Sequence, residues 1–288
     1  MSSSRDFSGL WIPLVTPFNG GVVDHAALAG LVKRYASAGV SGFVACGSTG
    51  EAAALDKSEQ LAVLDTVLKA CGDLPVVMGL SGYHLGHTQA WVKELATYTI
   101  AGLLVPAPHY IRPAQAGLSY WFNTLADASG TPLIVYDIPY RTGATLAVET
   151  LLALAEHPNI QAIKDCGGDA RKTQALIAHG GLQVLAGEDA QILSTMALGG
   201  VGAIAASAHL RTAQFAEVIR SMRQGDLLQA RTLWQPLVPL VEALFAEPNP
   251  ALIKAALAQQ GLLRNELRWP MTAGSSAAIA RVLQLLES

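Results

Sequence analysis

A lysine, a tyrosine, two adjacent hydroxyls and an arginine are the side chains of this 288-residue chain whose types and spacing suit covalent chemistry. Lys164 closes the run Ile160-Gln-Ala-Ile-Lys. Strand alternation would place it on one face with Ala162 and Cys166, in apolar surroundings. Burial disfavours the charged form of an amine. A neutral lysine can attack a ketone and form a Schiff base, whereas an ordinary ammonium with a pKa of about 10.4 cannot. A strand-end lysine also suits an ion pair with a carboxylate such as Asp165. Tyr136 ends the run Pro132-Leu-Ile-Val-Tyr. Its phenol could relay a proton if Ser48 or Thr49 held it in place, or its ring could simply fill space there. Gly47-Ser48-Thr49-Gly50-Glu51 offers free N–H groups and two hydroxyls to a carboxylate or phosphate, although an ordinary turn with a Ser or Thr cap has the same composition. Arg141 follows Tyr136 closely, with the option of clamping a carboxylate bidentately or remaining solvated. His84-x-x-His87 has a metal-like spacing, but its Gly-rich surroundings supply no third ligand, so no metal is expected. No G-x-S-x-G, P-loop or HExxH is present.

Short β-rich runs alternate with Ala- and Leu-rich helical stretches along most of the chain. Strands are expected at 10–16, 40–46, 75–80, 102–105, 132–136, 160–164, 182–186 and 202–206. Helices are expected near 24–38, 57–71, 87–99, 114–129, 146–156, 170–179, 189–198 and 212–223. Asp24 should cap the first helix, with Leu28, Leu31, Val32 and Tyr35 as its apolar stripe and Gly39 closing it. Continuous apolar strands are what parallel sheets covered on both faces require. Eight such repeats point to a closed (β/α)₈ TIM barrel. A doubly wound open sheet is the alternative, but Pro17-Phe-Asn-Gly-Gly after the first strand fits a turn and not a dinucleotide fingerprint. Gly200-x-Gly202-x-x-Ala205 precedes a strand, the wrong order, and reads as a tight turn. After Met222 only helices are expected, at 226–245, 250–260 and 274–286. The barrel is therefore assigned to residues 1–222 and a C-terminal helical extension to 223–288. In such a barrel, chemistry sits at the C-terminal strand ends, where Gly47–Glu51, Tyr136–Gly143 and Lys164-Asp165 fall.

Composition narrows the class. With 19 Lys plus Arg against 22 Asp plus Glu, the formal charge is −3, so nucleic acid is not an expected partner. Charged residues are 14% and apolar residues 51% of the chain, which excludes disorder. No apolar stretch approaches the roughly 18 to 20 residues of a membrane span, so no membrane partner is expected. The segment Met1 to Asp6 lacks a basic region followed by an apolar core, and a cytoplasmic location is expected. Cys46, Cys71 and Cys166 are too scattered for a disulfide framework and should be reduced thiols.

Taken in order, several motifs resemble the pyruvate-dependent Schiff-base lyases and synthases, the family that includes dihydrodipicolinate synthase and N-acetylneuraminate lyase. They are Pro13-Leu-Val-Thr-Pro-Phe18, Gly47-Ser-Thr-Gly-Glu51, Pro108-His-Tyr-Ile-Arg-Pro113, Tyr136-Asp-Ile-Pro-Tyr-Arg-Thr-Gly143, Ile163-Lys-Asp165, Leu185-Ala-Gly-Glu-Asp189 and Phe245-Ala-Glu-Pro-Asn-Pro250. The resemblance covers essentially the whole chain. It implies that Lys164 forms an imine with pyruvate and that Tyr136 donates and accepts protons, linked through Thr49 and Ser48 to Tyr110 from a neighbouring subunit. Backbone groups of Gly47, Ser48 and Thr49 would hold the pyruvate carboxylate, and Gly187 and Ile204 would line the site through their main chains. No separate cofactor is implied. The assembly implied is a homotetramer built as a dimer of tight dimers.

Arg141, within Tyr-x-x-Pro-x-Arg-Thr-Gly, resembles the arginine with which the synthases bind the carboxylate of aspartate semialdehyde, and Tyr110 with Arg112-Pro113 points the same way. Gly-Ser-Thr-Gly-Glu is instead the form seen in sialic acid lyases, and Asp137 and Asp165-Cys-Gly-Gly depart from common patterns. The favoured expectation is condensation of pyruvate with aspartate semialdehyde to 4-hydroxy-tetrahydrodipicolinate, a lysine and diaminopimelate biosynthetic step. The alternatives are a lyase acting on N-acetylneuraminate or a sugar-derived 2-keto acid, and a keto-acid-binding sensor. Lys57, Gln60 and His109 stand where lysine-inhibited members would have His, His and Tyr, which implies weak or absent feedback inhibition.

Overall fold

A computed structural model describes residues 5–287, so most of the segment read for a leader, residues 1–4, lies outside the described residues. The strands are β1 (Gly9–Pro13), β2 (Phe18–Asn19), β3 (Val22–Val23), β4 (Gly42–Ala45), β5 (Val76–Gly79), β6 (Gly102–Pro106), β7 (Leu133–Asp137), β8 (Ile160–Asp165), β9 (Gln183–Ala186) and β10 (Gly202–Ile204). Eight of them close into a barrel in the order β1-β10-β9-β8-β7-β6-β5-β4, while β2 and β3 form a separate hairpin. Every expected strand thus has its counterpart, and the fold is the (β/α)₈ barrel. Neighbouring barrel strands run parallel, as β6 does with β7 and β7 with β8, and strands such as Leu133–Asp137 are buried at every position, as continuous apolar runs require.

The helices between strands are α1 (His25–Ala36), α2 (Lys57–Ala70), α3 (Leu85–Leu95), α4 (Gln115–Ala128), α5 (Pro139–Thr142), α6 (Val148–Ala155), α7 (Ala170–His179), α8 (Ile192–Ala197) and α9 (Thr212–Arg223). They are followed by α10 (Leu227–Trp234), α11 (Val238–Leu244), α12 (Ala251–Gln259) and α13 (Ser276–Glu287). The single helix expected at 226–245 is broken into α10, a 3₁₀ turn at Gln235–Leu237 and α11. Pro236 and Pro239 explain the break, because neither can donate a helical hydrogen bond. The turn after β1 is larger than expected: Gly20 and Gly21 take φ of 62° and 80° and join β2 to β3 as a tight hairpin.

The chain divides into two compact units, one of residues 77–203 with the N-terminal segment to Ser8, the other of residues 9–76 and 204–288. In the first unit, Phe7 is fully buried, and its N–H donates to Gln183 Oε1 at 2.8 Å while the Arg5 N–H donates to Gln161 Oε1 at 2.9 Å. One irregularity here sets the register of everything downstream. Leu133 pairs with Ile160, but Ile134 pairs with Ala162, so Gln161 is an extra residue in β8 and Tyr136 comes level with Lys164. Without that bulge Tyr136 would face Ile163, whose side chain points to the other side of the sheet.

In the second unit, the Asp24 carboxylate caps α1 by accepting from the Ala27 N–H at 2.9 Å. The buried residues of α1 are Leu28, Leu31, Val32 and Tyr35, the expected stripe. Gly42 is required in β4, because a β-carbon there would collide with the Trp11 ring and lie 2.7 Å from the Pro75 carbonyl. His209 accepts from the Val15 N–H at 3.2 Å and its other ring nitrogen faces the Ala206 carbonyl at 2.8 Å. Burial lowers its pKa to about 4, so it is a neutral structural histidine. All three cysteines are free and buried. Among the described residues no helix is long and apolar enough to cross a membrane.

Candidate active site

The first unit carries the lysine. Lys164 is the penultimate residue of β8 and is 5% exposed, with its Nζ 3.4 Å from Tyr136 Oη and 4.4 Å from the centre of the Tyr136 ring. Burial is the main cause that pushes its pKa below the ordinary lysine range, and the Arg141 guanidinium adds to the effect. Cys166, Asp189 and Glu188 oppose the shift. Of these, the Cys166 thiol is itself held protonated by burial, so the charged opposition comes from the two carboxylates. Asp165 does not capture the lysine: its carboxylate accepts from the Thr173 hydroxyl at 2.5 Å and from the Gly167 N–H at 2.9 Å. Lys164 and Asp165 are consecutive in a strand and face opposite ways. The geometry therefore presents a desolvated amine beside a phenol, the pairing that nucleophilic attack and proton transfer need.

Gly187, after β9, leaves the space Lys164 occupies. A β-carbon there would collide with Cys166 Sγ and lie 2.8 Å from Lys164 Cγ. Arg141 sits in α5, started by Pro139 and closed by Gly143 at φ 72°. Beside it, Tyr140 donates its hydroxyl to Glu188 Oε1 at 2.8 Å. Tyr110 is 85% exposed in the single chain and holds a left-handed φ of 74°, with its N–H donated to the Thr142 carbonyl at 3.3 Å.

On the opposite face of these strands from Lys164 and Tyr136 is a buried ion pair that residue spacing did not suggest. Lys172, in α7, pairs with Asp137 at the end of β7, their side chains 5% and 0% exposed. A β-carbon at Gly167 would lie 2.5 Å from Lys172 Nζ and 3.0 Å from Asp137 Oδ2. The Asp137 and Asp165-Cys-Gly-Gly departures are thus one packing arrangement, in which the glycine makes room for the lysine that neutralises the aspartate.

The second unit carries the hydroxyl loop. Gly47–Gly50 is a tight turn, with the Gly50 N–H donated to the Gly47 carbonyl at 3.0 Å. It is bracketed by Cys46 and Glu51, both at φ 53°. Gly50 is required, since a β-carbon would lie 2.9 Å from the Leu14 carbonyl. Thr16 donates its hydroxyl to the Gly50 carbonyl at 2.7 Å. Left-handed backbone at ordinary residues costs about 1–3 kcal/mol each and persists only where neighbours enforce it. Here residues of the C-terminal segment do so. Lys254 donates to Glu51 Oε1 at 2.6 Å, the Arg268 N–H to Glu51 Oε2 at 3.2 Å, and Asn249 Nδ2 to Thr49 Oγ1 at 2.9 Å. Thr49 is buried and Ser48 half-buried. Ile204 ends β10 and is 1% exposed.

The structure thus brings Lys164, Tyr136, Arg141 and Gly187 together in one unit, and places Gly47, Ser48, Thr49 and Ile204 in the other. Asn249, Lys254, Asp137 and Lys172 were missed as partners of these residues. Asn249 had a signal, as part of Phe245-Ala-Glu-Pro-Asn-Pro250, and so had Asp137, as a departure within Tyr136-Asp-Ile-Pro-Tyr-Arg-Thr-Gly143. Among the described residues no group of three or more His, Cys, Asp or Glu is arranged to hold a metal ion, and His84 and His87 stack on each other, with ring centroids 3.9 Å apart.

Residues 6–288 match the model of the dihydrodipicolinate synthetase family. The chain is 37% identical over 268 residues to 4-hydroxy-tetrahydrodipicolinate synthase 2 of Clostridium acetobutylicum, covering 91% of this chain and 93% of that protein. It is 34% identical over 285 residues to 4-hydroxy-tetrahydrodipicolinate synthase of Thermodesulfovibrio yellowstonii, covering 98% of each. The crystal structure of dihydrodipicolinate synthase from Aquifex aeolicus superposes with a TM-score of 0.94 at 31% identity, over 98% of this chain and 97% of that one. A monomeric dihydrodipicolinate synthase variant superposes with a TM-score of 0.95 at 28% identity, over 98% and 96%. With a buried lysine beside a strand-end tyrosine on this barrel, the chain belongs to the dihydrodipicolinate synthetase family.

Proposed function

We propose that this protein condenses pyruvate with L-aspartate 4-semialdehyde to give 4-hydroxy-tetrahydrodipicolinate, in lysine and diaminopimelate biosynthesis. The observation that carries the reading is Lys164: 5% exposed, its ammonium disfavoured by burial, and its Nζ 3.4 Å from Tyr136 Oη. The neutral amine attacks the keto carbon of pyruvate, and loss of water leaves an imine on Lys164. Tyr136 supplies and removes the protons of these steps. The imine loses a proton from its methyl group to become an enamine, which attacks the aldehyde carbon. Cyclisation by the substrate's own amine then releases Lys164. No separate cofactor is needed in this reading, because the protonated imine formed on Lys164 is the electron sink.

Gly47, Ser48 and Thr49 hold the pyruvate carboxylate in this reading, and the Ser48 and Thr49 hydroxyls serve the relay to Tyr136. Arg141, whose charge already acts on Lys164, binds the carboxylate of the semialdehyde, and Gly187 and Ile204 contribute main-chain groups. Tyr110 completes the relay from a neighbouring subunit. Its 85% exposure, with Ile111 and Tyr83 at 52% and 57%, supports an assembly, proposed as a homotetramer of tight dimers. We also assign residues 1–222 to the barrel, residues 223–288 to its helical extension, and the protein to the cytoplasm. Borohydride reduction in the presence of pyruvate, followed by peptide mass analysis, tests the reading. An adduct on Lys164 is expected, and its absence would sink the Schiff-base mechanism.

A further inference from the structure

We propose that Asn249 is a positioning residue that makes the Thr49 hydroxyl a hydrogen-bond donor toward the keto-acid carboxylate, an inference that rests on the Schiff-base reading above. Asn249 Nδ2 donates to Thr49 Oγ1 at 2.9 Å, and the two residues are 9% and 2% exposed. A hydroxyl has one proton to give and lone pairs to receive. When the amide occupies one lone pair, the second is left to accept from a relay partner and the hydroxyl proton is left for another acceptor. A carboxylate is acceptor-only and fits that polarity. The opposite polarity, in which Thr49 donates to its protein neighbour, would turn an oxygen lone pair toward an anionic substrate and repel it.

Two further observations make this more than a chance contact. Asn249 Oδ1 is buried with no hydrogen-bond partner. An orphaned buried acceptor is destabilising, and most buried polar side-chain atoms have a partner. The Asn249 side chain is therefore poorly placed as a structural tie and well placed for the single bond it makes to Thr49. The same segment also grips the loop a second time. Lys254, whose N–H is donated to the Pro250 carbonyl at 2.9 Å, holds Glu51 two residues beyond Thr49 at 2.6 Å. The loop's backbone is thus fixed by Lys254 while the polarity of its hydroxyl is fixed by Asn249.

The test compares Asn249→Ala, Asn249→Asp, Thr49→Val and the Thr49→Val/Asn249→Ala double variant by steady-state kinetics in both substrates, with borohydride trapping of pyruvate. Asn249→Ala is expected to raise the pyruvate KM about three- to tenfold, with kcat and the semialdehyde KM within about twofold. Asn249→Asp, nearly the same shape, is expected to raise it further, since its carboxylate takes the Thr49 proton and repels the substrate. It also keeps the test open should the alanine variant fold poorly. In the Thr49→Val background, Asn249→Ala is expected to add nothing. An unchanged pyruvate KM in both Asn249 variants, or a full additive loss in the double variant, would overturn the proposal while pyruvate still traps on Lys164. Failure of the unmodified protein to trap pyruvate would instead overturn the underlying mechanism, and the proposal with it.

Discussion

Replacing Lys172 with methionine isolates the ion pair between α7 and the end of β7. Asp137 is 0% exposed in its side chain and Lys172 5%, and Asp137 Oδ1 already has no partner. Removing the ammonium leaves a buried carboxylate with no countercharge, a change that typically costs about 3–5 kcal/mol. The loss should depend on pH. Burial pushes the Asp137 carboxyl above the ordinary range, and Lys172 is the main group that lowers it. Without Lys172 the folded-state pKa rises further. A carboxyl raised in the folded state binds a proton that the unfolded chain has released, so its contribution to stability falls as pH rises from the unfolded value of about 4 to the folded one. The slope in that window approaches about 1.4 kcal/mol per pH unit. Urea unfolding of Lys172→Met should therefore show its largest loss near pH 8 and a smaller one near pH 5.5. The Asp137→Leu/Lys172→Met double variant, which buries no charge, should recover to within about 1 kcal/mol of the unmodified protein. A loss below about 1 kcal/mol at pH 8, or one equal at both pH values, would refute the reasoning.

Three other outcomes follow from the same geometry. Gly187→Ala pushes on Cys166 Sγ and Lys164 Cγ, so kcat/KM should fall by at least about a hundredfold with an unchanged circular dichroism spectrum; near-normal turnover would contradict the packing. Because burial lowers the Lys164 pKa, the fraction of neutral amine grows as pH rises and the rate of pyruvate trapping should climb with a midpoint below the free-lysine value of about 10.4; stopped trapping across a pH series measures it, and a midpoint at or above that value argues against a desolvated amine. Gln60 spends its amide on the Ala52 and Leu55 carbonyls, both at 3.2 Å, and His109 lies edge-on to Tyr83 with centroids 5.4 Å apart; millimolar L-lysine, a concentration typical of weak ligands, should leave the rate unchanged, and strong inhibition would overturn that expectation.

The residues legible from sequence are those whose partners are set by a period. β7 and β8 are continuous apolar runs, so their strand character and the placement of Tyr136 and Lys164 at their ends follow from local pattern. Even there, the pattern is silent about register. Only the extra residue at Gln161 brings Tyr136 level with Lys164, and a bulge leaves no trace in hydrophobic alternation when both faces are buried. The partners that escaped reading are set by the fold: Asn249 meets Thr49 across 200 residues of sequence, and Lys254 meets Glu51 across 203. No spacing rule links such positions.

Asp137 shows how this changes an inference. Read one position at a time, an aspartate after the strand-end tyrosine and two glycines after Lys164-Asp165-Cys166 are two separate departures, each weakening the assignment of a second substrate. In the fold they depend on each other. The aspartate can be buried only because Lys172 neutralises it, and Lys172 can reach it only because Gly167 has no side chain. A mutual substitution of this kind alters the support beneath the strand ends and leaves the side chains at the reacting face as they were. It therefore carries no evidence against aspartate semialdehyde, and the choice of second substrate rests on Arg141, which lies four residues beyond Asp137 and contributes to the charge felt by Lys164.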